Sequence, residues 1–161
     1  MDLELLQACF TYDPATGVLR WKIRPSRRVK AGDIAGSLRE KDGYLLTMFR
    51  KQGYYVHRVC YALGAGKLPE FEVDHRDGAR TNNRFDNLRD ATPSINQQNR
   101  RRVTKRNLVG VQGVSQVPSG RFRAVLTNAG KTVYGGTYDT AEEAHQAHVN
   151  LKRKLHPGNT L

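Results

Sequence analysis

The stretch Val73-Asp74-His75-Arg76-Asp77-Gly78, continued by Asn83-Arg84-Phe85-Asp86-Asn87-Leu88 and then by Asn96, decides how this chain is read. Phe71-Glu72-Val73 predicts a short strand that carries Asp74 and His75 to its end. Asp77-Gly78 turns the chain back, and a polar loop runs on to Leu88. Asn87, near the end of the returning segment, can hydrogen-bond backbone groups across the loop and hold it rigid. Asp77, Asn82 and Asn83 read as turn formers only. Thr92-Pro93 is a helix start, with Thr at the N-cap and Pro at the first helical position. That helix is expected to run through Asn96 and Asn99 into Arg100-Arg101-Arg102. Asp74 and the side-chain carbonyl of Asn96 then offer two oxygens to a hard ion, Mg²⁺ or Mn²⁺, with phosphate oxygens and water completing the shell. Asn99, on the same helix face, competes with Asn96 for that role. His75 is placed to take a proton from an attacking water.

The rest of the chain supplies a partner for such chemistry. Its 161 residues hold 27 Lys+Arg against 15 Asp+Glu, for a net charge of +12. A balance of that kind favours a polyanion. No acid occurs from Ala91 to Tyr138, whereas Arg100, Arg101, Arg102, Lys105, Arg106, Arg121, Arg123 and Lys131 do. A second basic cluster is Arg24, Arg27, Arg28 and Lys30. A metal-and-base cluster on such a chain points to cleavage of phosphodiester bonds in nucleic acid. Double-stranded DNA is the expected partner, and no obligate protein partner is evident. No apolar run approaches the roughly 20 residues that span a bilayer. The start Met1-Asp2-Leu3-Glu4 is acidic where a secretory leader would be basic, so a cytoplasmic location is expected. Cys9 and Cys60 lack metal-binding spacing. A zinc site from His57, Cys60 and His75 has no fourth ligand spaced for it.

Around the central segment the expected class is α+β. Residues 1–54 read as strands and turns. Thr11 to Trp21 form one hairpin, and Ala35–Leu38 and Tyr44–Phe49 form a second about Glu40-Lys41-Asp42-Gly43. Residues 55–104 open with a helix, Val56 to Leu63, that stops at Gly64. His57 on its apolar side is expected to be buried. Lys105-Arg106-Asn107 is the linker into residues 105–161. There Gly113–Val117, Arg121–Leu126 and Lys131–Gly136 predict a three-stranded antiparallel sheet. Thr140 then caps a helix over Ala141 to Leu155, with Glu143 completing a capping box. Ala141, Ala144 and Ala147 give this helix a small-residue face for close approach to the sheet. His145 and His148 lack a third ligand and read as packing.

The residues Asp74-His75, Asn87 within Asn83-Arg84-Phe85-Asp86-Asn87-Leu88-Arg89, and Asn96 resemble the His-Asn-His (HNH) endonuclease motif, in the His-Asn-Asn version of bacteriophage homing endonucleases. The flanking Val56-His57-Arg58-Val59 and Asp74 to Asn83 are similar to that family as well. The resemblance implies a ββα-metal nuclease core. It implies His75 as general base, Asp74 and Asn96 as metal ligands, and Asn87 as the residue that orients the loop or the base. His57, Arg58 and Asn99 become supporting residues.

Residues 107 to about 156 resemble the ethylene-response-factor (APETALA-type) DNA-binding domain, through Gly113-Val114-Ser115, Ser119-Gly120-Arg121-Phe122-Arg123-Ala124, Gly135-Gly136-Thr137-Tyr138-Asp139-Thr140 and Ala141-Glu142-Glu143-Ala144. That resemblance implies a sheet lying in the major groove with the helix behind it. Arg121 and Arg123 flank Phe122, so both face one way and can reach base edges or phosphates. Tyr134 joins Arg100, Arg101, Arg102, Lys105, Arg121 and Arg123 as the expected DNA contacts. Gln112 stands where plant members carry Arg, so base preference does not transfer. The expected activity is metal-dependent, homing-type DNA nicking. The alternatives are a non-catalytic DNA-binding regulator, which has no use for the Asp74, His75, Asn87, Asn96 set, and an RNA-processing nuclease. A groove-reading sheet argues against RNA, whose deep major groove does not admit it.

Overall fold

The computed structural model describes residues 2–99, 103 and 107–159. The chain divides into two compact units, Met1–Pro93 and Ser94–Leu161. Both mix helices with small antiparallel sheets.

The first unit opens with a helix, α1 (Leu3–Cys9), where the sequence suggested only strands and turns. The cause is a cap: Asp2 accepts the Glu4 backbone N–H at 3.0 Å, and Leu6 and Cys9 fall on the buried side. A seven-residue helix carries too little periodicity to announce itself. The hairpin β1 (Phe10–Asp13) and β2 (Val18–Trp21) follows, in register Phe10 with Trp21. Asp13 shapes its turn by accepting from the Ala15 N–H and the Thr16 hydroxyl. Next come β3 (Ser37–Arg39), β4 (Tyr44–Phe49) and β5 (Gln52–Tyr55) in one sheet. β5 was not foreseen: Arg50 and Lys51 turn the chain at positive φ without a glycine to signal it.

The helix α2 (Val56–Ala65) runs past Gly64 and stops at Gly66, whose φ of 67° is left-handed. Gly64 has a different task from the stop read in the sequence. A Cβ there would lie 2.4 Å from Phe85, so the glycine lets that ring pack directly on the helix backbone. β6 (Glu72–His75) pairs antiparallel with β7 (Leu88–Ala91), a strand that the polar loop concealed. A short 3₁₀ turn, Phe85–Asn87, feeds β7. Leu6, Phe10, Leu19, Trp21, Val59, Cys60, Val73 and Leu88 belong to one core, so residues 1–54 and the β6–β7 hairpin are packed together.

In the second unit α3 (Pro93–Gln98) begins beside the boundary at the expected proline. The continuation of that helix through Arg100, Arg101 and Arg102 lies outside the described residues. β8 (Val114–Gln116), β9 (Phe122–Asn128) and β10 (Lys131–Tyr138) form the expected antiparallel sheet in order β10-β9-β8. β10 extends beyond Gly136 because a bulge between Tyr134 and Thr137 carries the pairing on. α4 (Ala141–Leu155) starts with the Thr140–Glu143 capping box. Its buried stripe is Ala144, His148 and Lys152; of the alanine face read in the sequence, Ala144 is fully buried and Ala141 and Ala147 are half-buried. His148 is accommodated because Gly113 faces it: a Cβ on Gly113 would sit 2.0 Å from the imidazole. The ring nitrogens of His145 and His148 meet the carbonyls of Gln112 and Val125, at 2.9 and 2.8 Å.

Candidate active site

β6 places Asp74 and His75 at consecutive positions, so the two side chains leave opposite faces of the hairpin. Asp74 stands across from Arg89 and His75 across from Leu88. Arg89 uses that register. Its Nε and Nη2 both donate to Asp74 Oδ2, at 3.0 and 2.7 Å, and both side chains are largely buried. A charge-assisted double contact of this kind fixes the carboxylate firmly.

His75 is 3% exposed. Its Nε2 lies 3.0 Å from Asn83 Oδ1. The rings of His57 and Tyr44 stand 5.1 and 5.9 Å from it. Burial pulls the His75 pKa below its usual value, more than Asn83, Asp77 and Asp74 raise it. The imidazole is therefore neutral near pH 7, the state that accepts a proton. Burial also pushes His57 down, to about 3, with His75 adding to the shift. His57 is buried, as expected, and its Nδ1 has no hydrogen-bond partner among the described residues.

Tyr44 joins this wall to a charged brace. The Arg80 guanidinium lies over its ring at 4.7 Å and donates to the Asp42 carbonyl. Arg39 and the Tyr55 hydroxyl both reach the Asp42 carboxylate, at 2.5 and 3.0 Å. These contacts hold the Asp42 pKa down at about 2, the Arg39 bond first among them.

The loop between β6 and β7 is held from inside. Asn87 accepts from the Asp77 N–H at 3.0 Å, and its amide donates to Asp77 Oδ1 and the Asn82 carbonyl at 2.9 and 2.8 Å. Asp77 further accepts from Ala79 N–H and from the Asn82 amide. Asp77 and Asn82 thus make turns, as read. Asn83 does more: it is 2% exposed and faces the histidine. Reading it as a turn former alone missed this contact. No short-range signal marks it, because the contact forms only when the loop closes. Arg89 was also missed; pairing β6 with β7 would have found it.

Arg58 donates to the Phe71 carbonyl at 3.2 Å. Asn96 is half-buried on α3, and Asn99 is buried at its end; both belong to the second unit, whereas Asp74 belongs to the first. Arg100, Arg101, Arg102 and Lys105 lie outside the described residues. On the sheet, Arg123 lies over the Tyr134 ring at 5.1 Å, and Tyr134 is 61% exposed. Arg121 is engaged by an acid just past the acid-free window: its Nε lies 2.7 Å from Asp139 Oδ1. The absence of acids along the sequence therefore did not mean an absence of acids around this arginine.

The donor chemistry suits a hard divalent cation, since Asp74 offers carboxylate oxygen in a setting already arranged by hydrogen bonds. Such ions take one or two protein carboxylates and leave other positions to phosphate and water. Among the described residues no three His, Cys, Asp or Glu side chains converge as a metal cluster. Burial holds the Cys60 thiol protonated, which makes it a poor partner for His57 and His75 in a zinc site.

With this geometry, residues 54–98 match the family described as HNH endonuclease. The match takes in Asp74, His75 and Asn87 and ends on α3. A solved structure described as DNA binding and cleavage by the HNH homing endonuclease I-HmuI is similar at 24% identity and a TM-score of 0.42. The similarity covers 62% of this chain and 55% of that one, so the chain spans about half the length of that protein. No curated protein matches the sequence. No helix among the described residues is long and apolar enough to cross a membrane.

Proposed function

We propose that the protein is a metal-dependent DNA endonuclease of the homing type that hydrolyses phosphodiester bonds and nicks one strand per binding event. One observation carries the reading. Within the HNH endonuclease segment, a neutral, buried histidine stands at the end of a strand beside a carboxylate fixed in place. His75 accepts the proton of the attacking water, and Asn83 holds the ring while it does so. Asn87 keeps the loop closed through Asp77, so the histidine cannot drift with it. Asp74 would supply one oxygen to Mg²⁺ or Mn²⁺, and Asn96 the second that the family resemblance assigns. An ion held there would supply Lewis-acid stabilisation of the charge that develops at the phosphate.

The second unit is the reader. Its sheet carries a half-buried Arg123 over the exposed Tyr134 ring, the sequence pattern resembles the ethylene-response-factor domain, and the whole chain's net charge of +12 favours DNA. Supercoiled plasmid incubated with Mg²⁺, with Mn²⁺ and with EDTA tests the proposal. Open circles with either metal and none with EDTA are expected. Retarded but uncut plasmid under all three conditions would favour the DNA-binding regulator.

A further inference from the structure

We infer that Asn83 is a positioning residue that selects the tautomer of His75, and that the β1–β2 hairpin holds Asn83 in place for this purpose. The inference rests on the reading of His75 as general base. Neutral imidazole has one N–H and one lone pair, and the hydrogen bond made by one nitrogen decides the role of the other. The atom facing His75 Nε2 is an amide oxygen, Asn83 Oδ1, at 3.0 Å. An oxygen there only accepts, so the proton sits on Nε2 and the basic lone pair on Nδ1. Both side chains are buried, where a hydrogen bond is electrostatically stronger than in water.

The hairpin fixes the backbone that carries this amide. The Tyr12 hydroxyl donates to the Asn83 carbonyl at 2.7 Å. Burial raises the Tyr12 pKa, so the phenol stays a donor. Two residues on, the Phe85 N–H donates to the Pro14 carbonyl at 3.0 Å. Gly17, at φ +77°, lies so close that a Cβ would come within 2.7 Å of the Asn83 carbonyl carbon and 2.6 Å of the Arg84 nitrogen. Any side chain at position 17 would push the segment away. The N-terminal hairpin, remote in sequence, thereby sets the chemical state of the candidate base. The cost is visible: among the described residues Asn83 Nδ2 is buried without a partner, and a buried group left so calls for an explanation, which the contact of Oδ1 with His75 supplies.

The test is a nitrogen-15 spectrum of full-length protein labelled at histidine, with His75 assigned by its loss in His75→Gln. The wild type is expected to show a protonated Nε2 and a pyridine-like Nδ1. The opposite pattern would mean that the amide presents its NH₂, and would overturn the inference without any Asn83 variant. Asn83→Leu, which removes the acceptor, should mix the tautomers and slow single-turnover nicking at least tenfold with DNA affinity unchanged. Asn83→Asp, which keeps an acceptor oxygen, should retain the Nε2–H form and most of the rate. An Asn83→Leu protein that nicks at the wild-type rate, or an Asn83→Asp protein as slow as a folded Asn83→Leu, would also overturn it. Wild-type nicking by His75→Ala would instead remove the general-base reading, while the spectrum still decides which nitrogen Asn83 faces.

Discussion

The β6–β7 hairpin and the C-terminal sheet are both antiparallel and both carry polar residues, yet they treat those residues in opposite ways. In the hairpin His75, Asn83 and Asn87 are buried and interlocked, and Asp74 is clasped by Arg89. On the sheet Tyr134 is mostly exposed, and the Arg121–Asp139 pair is solvated on both sides. Burying polar groups is costly unless every partner is supplied, so the hairpin spends stability on fixed geometry. The sheet leaves its charges in water, where they can exchange a solvent or acid partner for a phosphate. A reaction that moves a proton needs the first arrangement; recognition of a polyanion suits the second.

The largest effects should therefore come from the hairpin and should separate rate from affinity. His75→Ala is expected to lower nicking by ~10²–10⁴-fold, the usual contribution of a general base, with little change in DNA binding by gel shift. Equal losses in rate and affinity would erase the contrast between the two regions. Asp74 needs more care, because removing one partner of a buried pair leaves Arg89 uncompensated, at a cost of ~3–5 kcal/mol. Asp74→Asn keeps the shape and an acceptor. It should stay folded, lose metal binding in calorimetry and lose nicking. Asn96→Ala should do likewise; normal metal dependence in that variant would move the second ligand to Asn99 or elsewhere.

The two regions were also unequally legible in the sequence. The sheet and α4 could be read almost strand by strand, because Pro118-Ser119-Gly120 and Asn128-Ala129-Gly130 mark the turns and Thr140 with Glu143 marks the cap. Local chemistry decides those elements. The hairpin's chemistry could be named from Asp74, His75 and Asn87, but its support could not. Arg89 meets Asp74 only once β6 and β7 are paired, and Asn83 meets His75 only once the loop closes. Tyr12 and Gly17 reach Asn83 across more than 60 residues of sequence. Short-range patterns do not carry information of that range. They also misread Gly64, where a glycine serving Phe85 resembled one ending a helix.

Burial makes a further distinction measurable through pH. The folded-state pKa of His57 is about 3, against an ordinary value of 6.5. Below pH 6.5 the unfolded chain binds a proton that the folded chain refuses, so acid favours unfolding. The contribution is complete above pH 6.5 and is lost as the pH falls toward 3, at up to ~1.4 kcal/mol per pH unit. Denaturant titrations across that range should show His57→Phe flattening the acid decline of wild type. If the two proteins lose stability in parallel, His57 is not buried as a neutral ring.

The smallest effects should come from the sheet, and there the arginines are expected to differ. Arg123→Ala should weaken binding by ~1–3 kcal/mol with preference relaxed at one position if the residue reads a base. If it grips phosphate, the loss should be even across sequences and the salt slope should fall by about 1. Arg121 is already paired with Asp139, but both partners are exposed, and such a pair contributes little. DNA can therefore displace Asp139 at small cost, and what it gains is reduced by the acid left nearby. Arg121→Ala should cost less affinity than Arg123→Ala, and Asp139→Asn should tighten binding a few-fold at low salt. That gain should fade as salt rises, because screening acts on exposed charges first. An Asp139→Asn protein that binds no better at low salt would show that Arg121 does not face the DNA. The reading surface would then narrow to the Arg123–Tyr134 side of the sheet.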